Sequence, residues 1–177
     1  MKFIFWFKIL SPHQVPYIRA LADLGHIVTI VAEAELSPAR RAMGWAVPDV
    51  GDVTVQLKPT ASEIRDIIRA SGTEAVHLIG EIRFEPYGQL ILNCLQQDRC
   101  RHGIITEAAD ARGLLGAVRQ GKYTLERYRC GAKFDFALAM GRRGVRWFSQ
   151  CGYSASKVFE FAYVVEEIGS GNDELAS

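Results

Sequence analysis

The sequence predicts an α/β fold: a mostly parallel sheet of about six to seven strands with helices on both faces. Three observations point there. Short apolar runs alternate about six times with segments whose apolar residues recur at helical spacing. The opening run, Lys2 to Leu10, is apolar on both of its alternating faces, as befits a strand inside a parallel sheet. Serine, proline and glycine punctuate the changes between the two patterns.

The elements follow in order. After the first strand, Val15, Ile18, Leu21 and Ala22 share one helical face, and Gly25 closes that helix. A strand runs from Ile27 to Ala32. Ser37-Pro38 has a cap serine before a first-turn proline, and Gly44 ends the short helix it starts. Val53 to Leu57 is a weaker strand. Thr60 to Glu63, TASE, is a capping box opening a helix with Ile64, Ile67 and Ile68 inward. Ala75 to Ile79 is a buried strand, and Pro86 opens a helix burying Leu90, Ile91, Cys94 and Leu95. Gly103 to Thr106 is a strand, with a helix expected near Lys122 to Cys130. Phe134 to Met140 is the next strand, Gly141 to Cys151 a helix, and Lys157 to Val165 the last strand.

With 177 residues, 49% hydrophobic and 23% charged, the chain can bury a full core. Residues 1–168 read as one Rossmann-like domain. Residues 169–177, GSGNDELAS, read as a flexible linker or tail. A net charge of +1 gives no global bias toward nucleic acid, and no nucleic-acid motif is present. Cys94, Cys100, Cys130 and Cys151 lack metal-ligand spacing and read as reduced thiols. No metal is expected. Lys8 interrupts the opening apolar run and no small-residue cleavage site follows, so a cytoplasmic location is expected.

In such a sheet ligands bind beyond the carboxyl ends of the strands, which directs attention to four loops. The first is Ser11-Pro12-His13-Gln14. A dinucleotide fingerprint would place G-x-G-x-x-G there, so that backbone amides approach a pyrophosphate. It is absent, as is a P-loop, and no cofactor is expected. His13 and Gln14 instead offer side-chain donors and acceptors suited to sugar hydroxyls; helix capping is the simpler alternative. Glu81 and Arg83 follow Gly80 in a second loop, as site residues or as an ion pair. Glu107 follows the strand ending at Thr106, and either orients a hydroxyl or caps a helix. His77, inside AVHLI, and Trp6 read as core residues. Trp45 reads as a hydrophobic lid or a stacking surface for a sugar.

From Ala111 to Val158 there are ten basic residues against two acidic ones. This is a solvated face, a phosphate-binding set including Arg127 and Arg142, or a membrane-contacting patch. The last would use Arg142, Arg143 and Arg146 beside Trp147 and Phe148.

Three segments carry a resemblance. Ile18 to Val31, IRALADLGHIVTIV, resembles the L-x-x-x-G-H-x-V-x-V segment of family-4 glycosyltransferases of the GT-B fold. Phe136 to Val165, FALAMGRRGVRWFSQCGYSASKVFEFAYVV, resembles the close of that family's N-terminal domain. Val76 to Glu81, VHLIGE, resembles the strand and loop carrying the family's mid-domain histidine. The first loop and Glu107, which stands where the family often has histidine, depart from the pattern. The resemblance implies the acceptor-side half of an enzyme of polysaccharide biosynthesis. Such an enzyme moves a sugar from a nucleotide-diphosphate sugar to a hydroxyl acceptor, free or lipid-linked, with retention of configuration. Donor binding would fall to a C-terminal domain or a second subunit, so this half is expected to be inactive alone. Its exposed cleft face could also pair two copies, and a lipid-linked acceptor would bring it to the inner membrane face. The alternative is a non-catalytic Rossmann-like binding module. The catalytic residues stay unassigned.

Overall fold

The computed structural model describes residues 1–46, 48–80, 86–129 and 134–163, the side chains of Glu126 and Arg129 excepted. The strands are β1 (Lys2–Ile9), β2 (Ile27–Ala34), β3 (Thr54–Leu57), β4 (Val76–Ile79), β5 (Arg101–Thr106), β6 (Phe136–Met140) and β7 (Val158–Phe161). All pair in parallel, in one seven-stranded sheet of order β3-β2-β1-β4-β5-β6-β7. The chain builds outward from β1 to β3, then crosses back to β4 and builds the other way. That reversal makes the fold Rossmann-like and opens a crevice beyond the ends of β1 and β4. The helices are α1 (Val15–Asp23), α2 (Pro38–Ala42), α3 (Ala61–Ser71), α4 (Pro86–Gln97), α5 (Gly113–Arg129) and α6 (Gly141–Gln150).

The strand pleat sorts side chains into two cores. Ile4 and Trp6 of β1 point to one face, where Ile64, Ile68, Ile91, Leu92, Leu95, Trp147 and Phe148 cover them from α3, α4 and α6. Phe5 and Phe7 point to the other, against Val15 and Ile18 of α1. From Ile4 to Phe7 both faces of β1 are thus buried, as the apolar residues there predict. Where strands must approach closely, glycine is required: a Cβ on Gly103 of β5 would lie 2.5 Å from the Phe136 ring on β6.

Local signals behave as expected at the helix ends. Ser37 caps α2 by accepting from the Arg40 amide. Thr60 and Glu63 form both halves of the capping box at α3. Gly25, at φ 80°, takes the left-handed conformation just after α1.

One element departs from expectation. The fifth helix begins at Gly113, well before the expected start near Lys122. Gly113, Gly116 and Gly121 read as breakers in sequence, yet the helix runs through the last two. At Gly116 the space is filled by backbone: a Cβ there would meet the Ala111 carbonyl oxygen at 2.1 Å. Glycine is therefore needed for packing there despite its helix cost. The last strand is described to Phe161; Val164, Val165 and the expected tail at 169–177 lie outside the described residues.

Candidate functional site

A cleft of about 700 Å³ opens at the carboxyl ends of β1, β4 and β5. Its floor is Phe7 to Ile9 of β1 with Gly80. Gly80 keeps the floor low: a Cβ there would lie 2.4 Å from the Phe7 ring. Ser11, His13 and Gln14 form one wall. Arg40, Trp45 and Tyr163 extend that wall, and Thr106, Glu107, Ala108, Ala109 and Asp110, with Arg119 and Tyr123, line the rest of the cleft.

The first loop is a self-bonded turn. The Ser11 amide donates to Gln14 Oε1 at 2.9 Å, the His13 amide to Ser11 Oγ at 3.3 Å, and the Gln14 amide to the Ser11 carbonyl at 3.0 Å. Pro12 has no amide to give. Every backbone donor of the loop is therefore engaged within it. Neither Ser11 nor His13 caps α1, whose cap residue Gln14 makes no side-chain cap bond. Gln14 lines the cleft, but its carbonyl oxygen is held by Ser11, which leaves its amide group.

His13 is exposed and its ring stands edge-on to Trp45 at 5.9 Å and 6.4 Å from Tyr163. Arg40 sits over the other part of this wall, its guanidinium carbon 4.5 Å from the Trp45 ring centre. Tyr163 in turn stacks on Tyr17 at 6.2 Å. Burial first, and then the nearby Glu107 carboxylate, push the Tyr163 hydroxyl above its ordinary range. An aromatic wall with a protonated phenol and an imidazole at its edge thus faces Glu107.

Glu107 is exposed in the loop after β5, well before α5, so it caps no helix. Asp110 is the charged residue fixed in place. Arg112 binds it through Nε at 3.0 Å and Nη2 at 2.9 Å, and donates its amide at 3.1 Å. Arg143 lies 3.7 Å away, and Arg119 donates to the Asp110 carbonyl at 3.1 Å. The Arg112 hydrogen bonds, followed by its charge and that of Arg119, hold the Asp110 carboxyl down to about 2.

Of the expected site residues, the cleft gathers His13, Gln14 and Glu107. Glu81 and Arg83 lie outside the described residues. Arg127 lies elsewhere on α5, its guanidinium carbon 5.0 Å from the Tyr128 ring centre, and Arg142 is exposed at the start of α6; neither lines the cleft. Trp147 and Phe148 are core residues, so they cannot serve as aromatic anchors for the neighbouring arginines. Lys8, Arg40, Asp110 and Tyr163 were not named as site residues from sequence, and Arg119 entered only as one of the ten basic residues. Asp110 could have been named, because it stands in the loop after β5 on the ligand-binding edge; Arg119 lies inside α5.

Among the described residues no group of three or more His, Cys, Asp or Glu could hold a metal ion, and no helix is long and apolar enough to cross a membrane. No protein-family model matches the chain, and no curated protein matches it. Among solved structures it is similar to a short-chain dehydrogenase/reductase from Veillonella parvula DSM 2008. That pair is 12% identical, with a TM-score of 0.46, over 79% of this chain and 69% of the other. It is also similar to a protein from Mycobacterium paratuberculosis, at 15% identity and a TM-score of 0.43, over 88% of this chain and 74% of that one. Likeness this distant carries no argument about the chemistry of the cleft.

Proposed function

We propose that this chain is the acceptor-binding half of a glycosyltransferase, which moves a sugar from a nucleotide-diphosphate sugar to a hydroxyl acceptor. The observation that carries the reading is the self-bonded first loop. A dinucleotide site presents free amides to a pyrophosphate; here the amides of Ser11, His13 and Gln14 donate to oxygens within the loop, and the His13 imidazole and the Gln14 carboxamide line the cleft. Such groups pair with hydroxyls as donor or acceptor. Trp45 and Tyr163 supply flat apolar surfaces beside them, as a pyranose face requires. The resemblance of Ile18 to Val31 and Phe136 to Val165 to family-4 glycosyltransferases supports the same reading.

In this reading Glu107 accepts a hydrogen bond from the acceptor hydroxyl and orients its oxygen. His13 holds a neighbouring hydroxyl, and Lys8 and Arg40 at the cleft wall favour an acceptor that carries negative charge. Stabilising the leaving diphosphate needs preorganised positive charge at the donor, which a second domain or subunit would supply.

The test is a titration followed by the amide resonances of His13, Glu107 and Asp110. A panel of alkyl hexosides and lipid-free oligosaccharides is expected to shift these signals at millimolar concentration, with NAD leaving them unmoved. His13→Ala and Glu107→Gln are each expected to weaken the binding by about tenfold, as loss of one good hydrogen bond does. Shifts with NAD alone would overturn the reading. Sugar binding that never leads to transfer, even with a donor-binding domain supplied, would leave a binding module instead.

A further inference from the structure

Helix α5 is built inside out. Its inward stripe is Gly116, Arg119, Gln120, Tyr123, Thr124 and Arg127, of which Tyr123 is buried and Gly116 is packed against backbone. Tyr123 anchors the helix, with its ring 5.4 Å from Trp147 and 6.2 Å from Phe148. The opposite stripe is apolar and in solvent: Leu114 is 89% exposed, Leu115 68%, Val118 56%, Leu125 57% and Tyr128 71%. A surface helix ordinarily turns such a stripe toward the core. Five large exposed side chains on one side of a helix of about 25 Å are apolar surface of the kind that marks an interaction site.

The surrounding charge selects the occupant. Within α5, Lys122 is exposed while Arg119 and Arg127 belong to the inward stripe, and α6 adds three exposed basic residues and no acid. At the start of α5, Arg112 and Arg143 converge on Asp110 and remain largely exposed. Lys122 is exposed midway along α5. A second copy docking by two-fold symmetry would set these cations against one another. An apolar row with exposed Lys122 beside it and exposed Arg112 just before its start fits an anionic lipid surface. The geometry points to the outer face of α5 as a docking surface for an anionic membrane, with Leu114, Leu115, Val118, Leu125 and Tyr128 entering the headgroup boundary. Because Asp110 and Arg119 also line the cleft, docking would place the cleft mouth beside the lipid. The inference does not depend on the sugar-transfer reading.

The test is flotation of the full chain with phosphatidylcholine vesicles holding about one-third phosphatidylglycerol, beside vesicles of phosphatidylcholine alone. The chain is expected on the anionic vesicles and not on the neutral ones, with binding falling as salt rises. Leu114→Ser with Leu125→Ser is expected to lower the bound fraction by roughly tenfold, and Lys122→Glu by a similar factor. All three positions are exposed, so thermal midpoints should stay unchanged and separate a binding defect from misfolding. Equal flotation with both vesicle types overturns the proposal, and so does unchanged binding of the leucine variant. A dimer in solution that the leucine variant dissociates also overturns it, by assigning the face to a second copy.

Discussion

His77 occupies a strand centre where both faces of the sheet are dry. Its Nδ1 accepts from Trp6 Nε1 at 3.1 Å, which leaves the ring proton on Nε2, 3.0 Å from Ser71 Oγ. The Ser71 hydroxyl donates to the Ile68 carbonyl at 2.5 Å. The three side chains thus tie β1, β4 and the end of α3 into one satisfied network, as buried polar groups require. Burial, then the neighbouring His102 and Lys2 charges, push the imidazole down from 6.5 to about 4. The unfolded chain takes up this proton near pH 6.5 while the native state resists until about pH 4. The stabilisation is therefore complete above pH 6.5 and is lost as pH falls toward 4. The loss reaches on the order of 3 kcal/mol. His77→Gln keeps an acceptor for Trp6 but cannot titrate. Its urea midpoint is expected to vary less between pH 6.5 and 4 than that of the native chain; an equal slope would remove His77 as the cause. The core role of His77 and Trp6 was legible in the apolar AVHLI and FIFWF contexts. The hydrogen bond between them was not, because the partners are 71 residues apart and only the register of β1 against β4 brings them together.

Among the elements, α3 has the most local origin. Thr60 Oγ1 accepts from the Glu63 amide while Glu63 returns a carboxylate oxygen to the Thr60 amide at 2.6 Å. Donation from the Thr60 amide, and then from the Thr60 hydroxyl at 2.7 Å, holds the Glu63 carboxyl below its ordinary range. Thr60→Ala is expected to lower unfolding free energy by about 1 kcal/mol, read from chemical denaturation. Gly103→Val tests the opposite kind of constraint. It suits strand propensity, yet it drives a side chain into Phe136 across β5 and β6. A loss of roughly 1–3 kcal/mol is expected; a gain would mean that the Phe136 ring turns aside freely. The two helices α3 and α5 also show where sequence reading stops. TASE is a closed local exchange of hydrogen bonds, so four residues define it. The length of α5 depends on Tyr123 finding the Trp147 and Phe148 rings and on Gly116 fitting against Ala111. The Tyr123 contact leaves no local trace, and three glycines argue against the helix until those rings are in place.

At the scale of the whole molecule, parallel pairing forces each strand to leave the sheet at the same edge, so all strand-to-helix loops meet there. The cleft is the result: the Ser11–Gln14 turn, Gly80 and Glu107 come from separate loops and converge within one hollow. In our reading this hollow holds only the acceptor side of a transfer reaction. Incubation of the chain alone with a panel of nucleotide-diphosphate sugars and acceptors is accordingly expected to give no transfer product; turnover without any partner would refute the half-enzyme reading. By itself the sequence determined the α/β class, the strand alternation and the helix starts with local caps, because apolar period and capping chemistry act over a few residues. It also marked His13, Gln14 and Glu107, because strand ends locate the ligand edge of a parallel sheet. Only the tertiary structure decided that Trp45 and Tyr163 stand beside His13, and that Arg127 and Arg142 lie away from the cleft. It alone turned the apolar stripe of α5 outward. Each of these depends on which distant segments pack together, and the packing of the whole sheet and its helices fixes that choice.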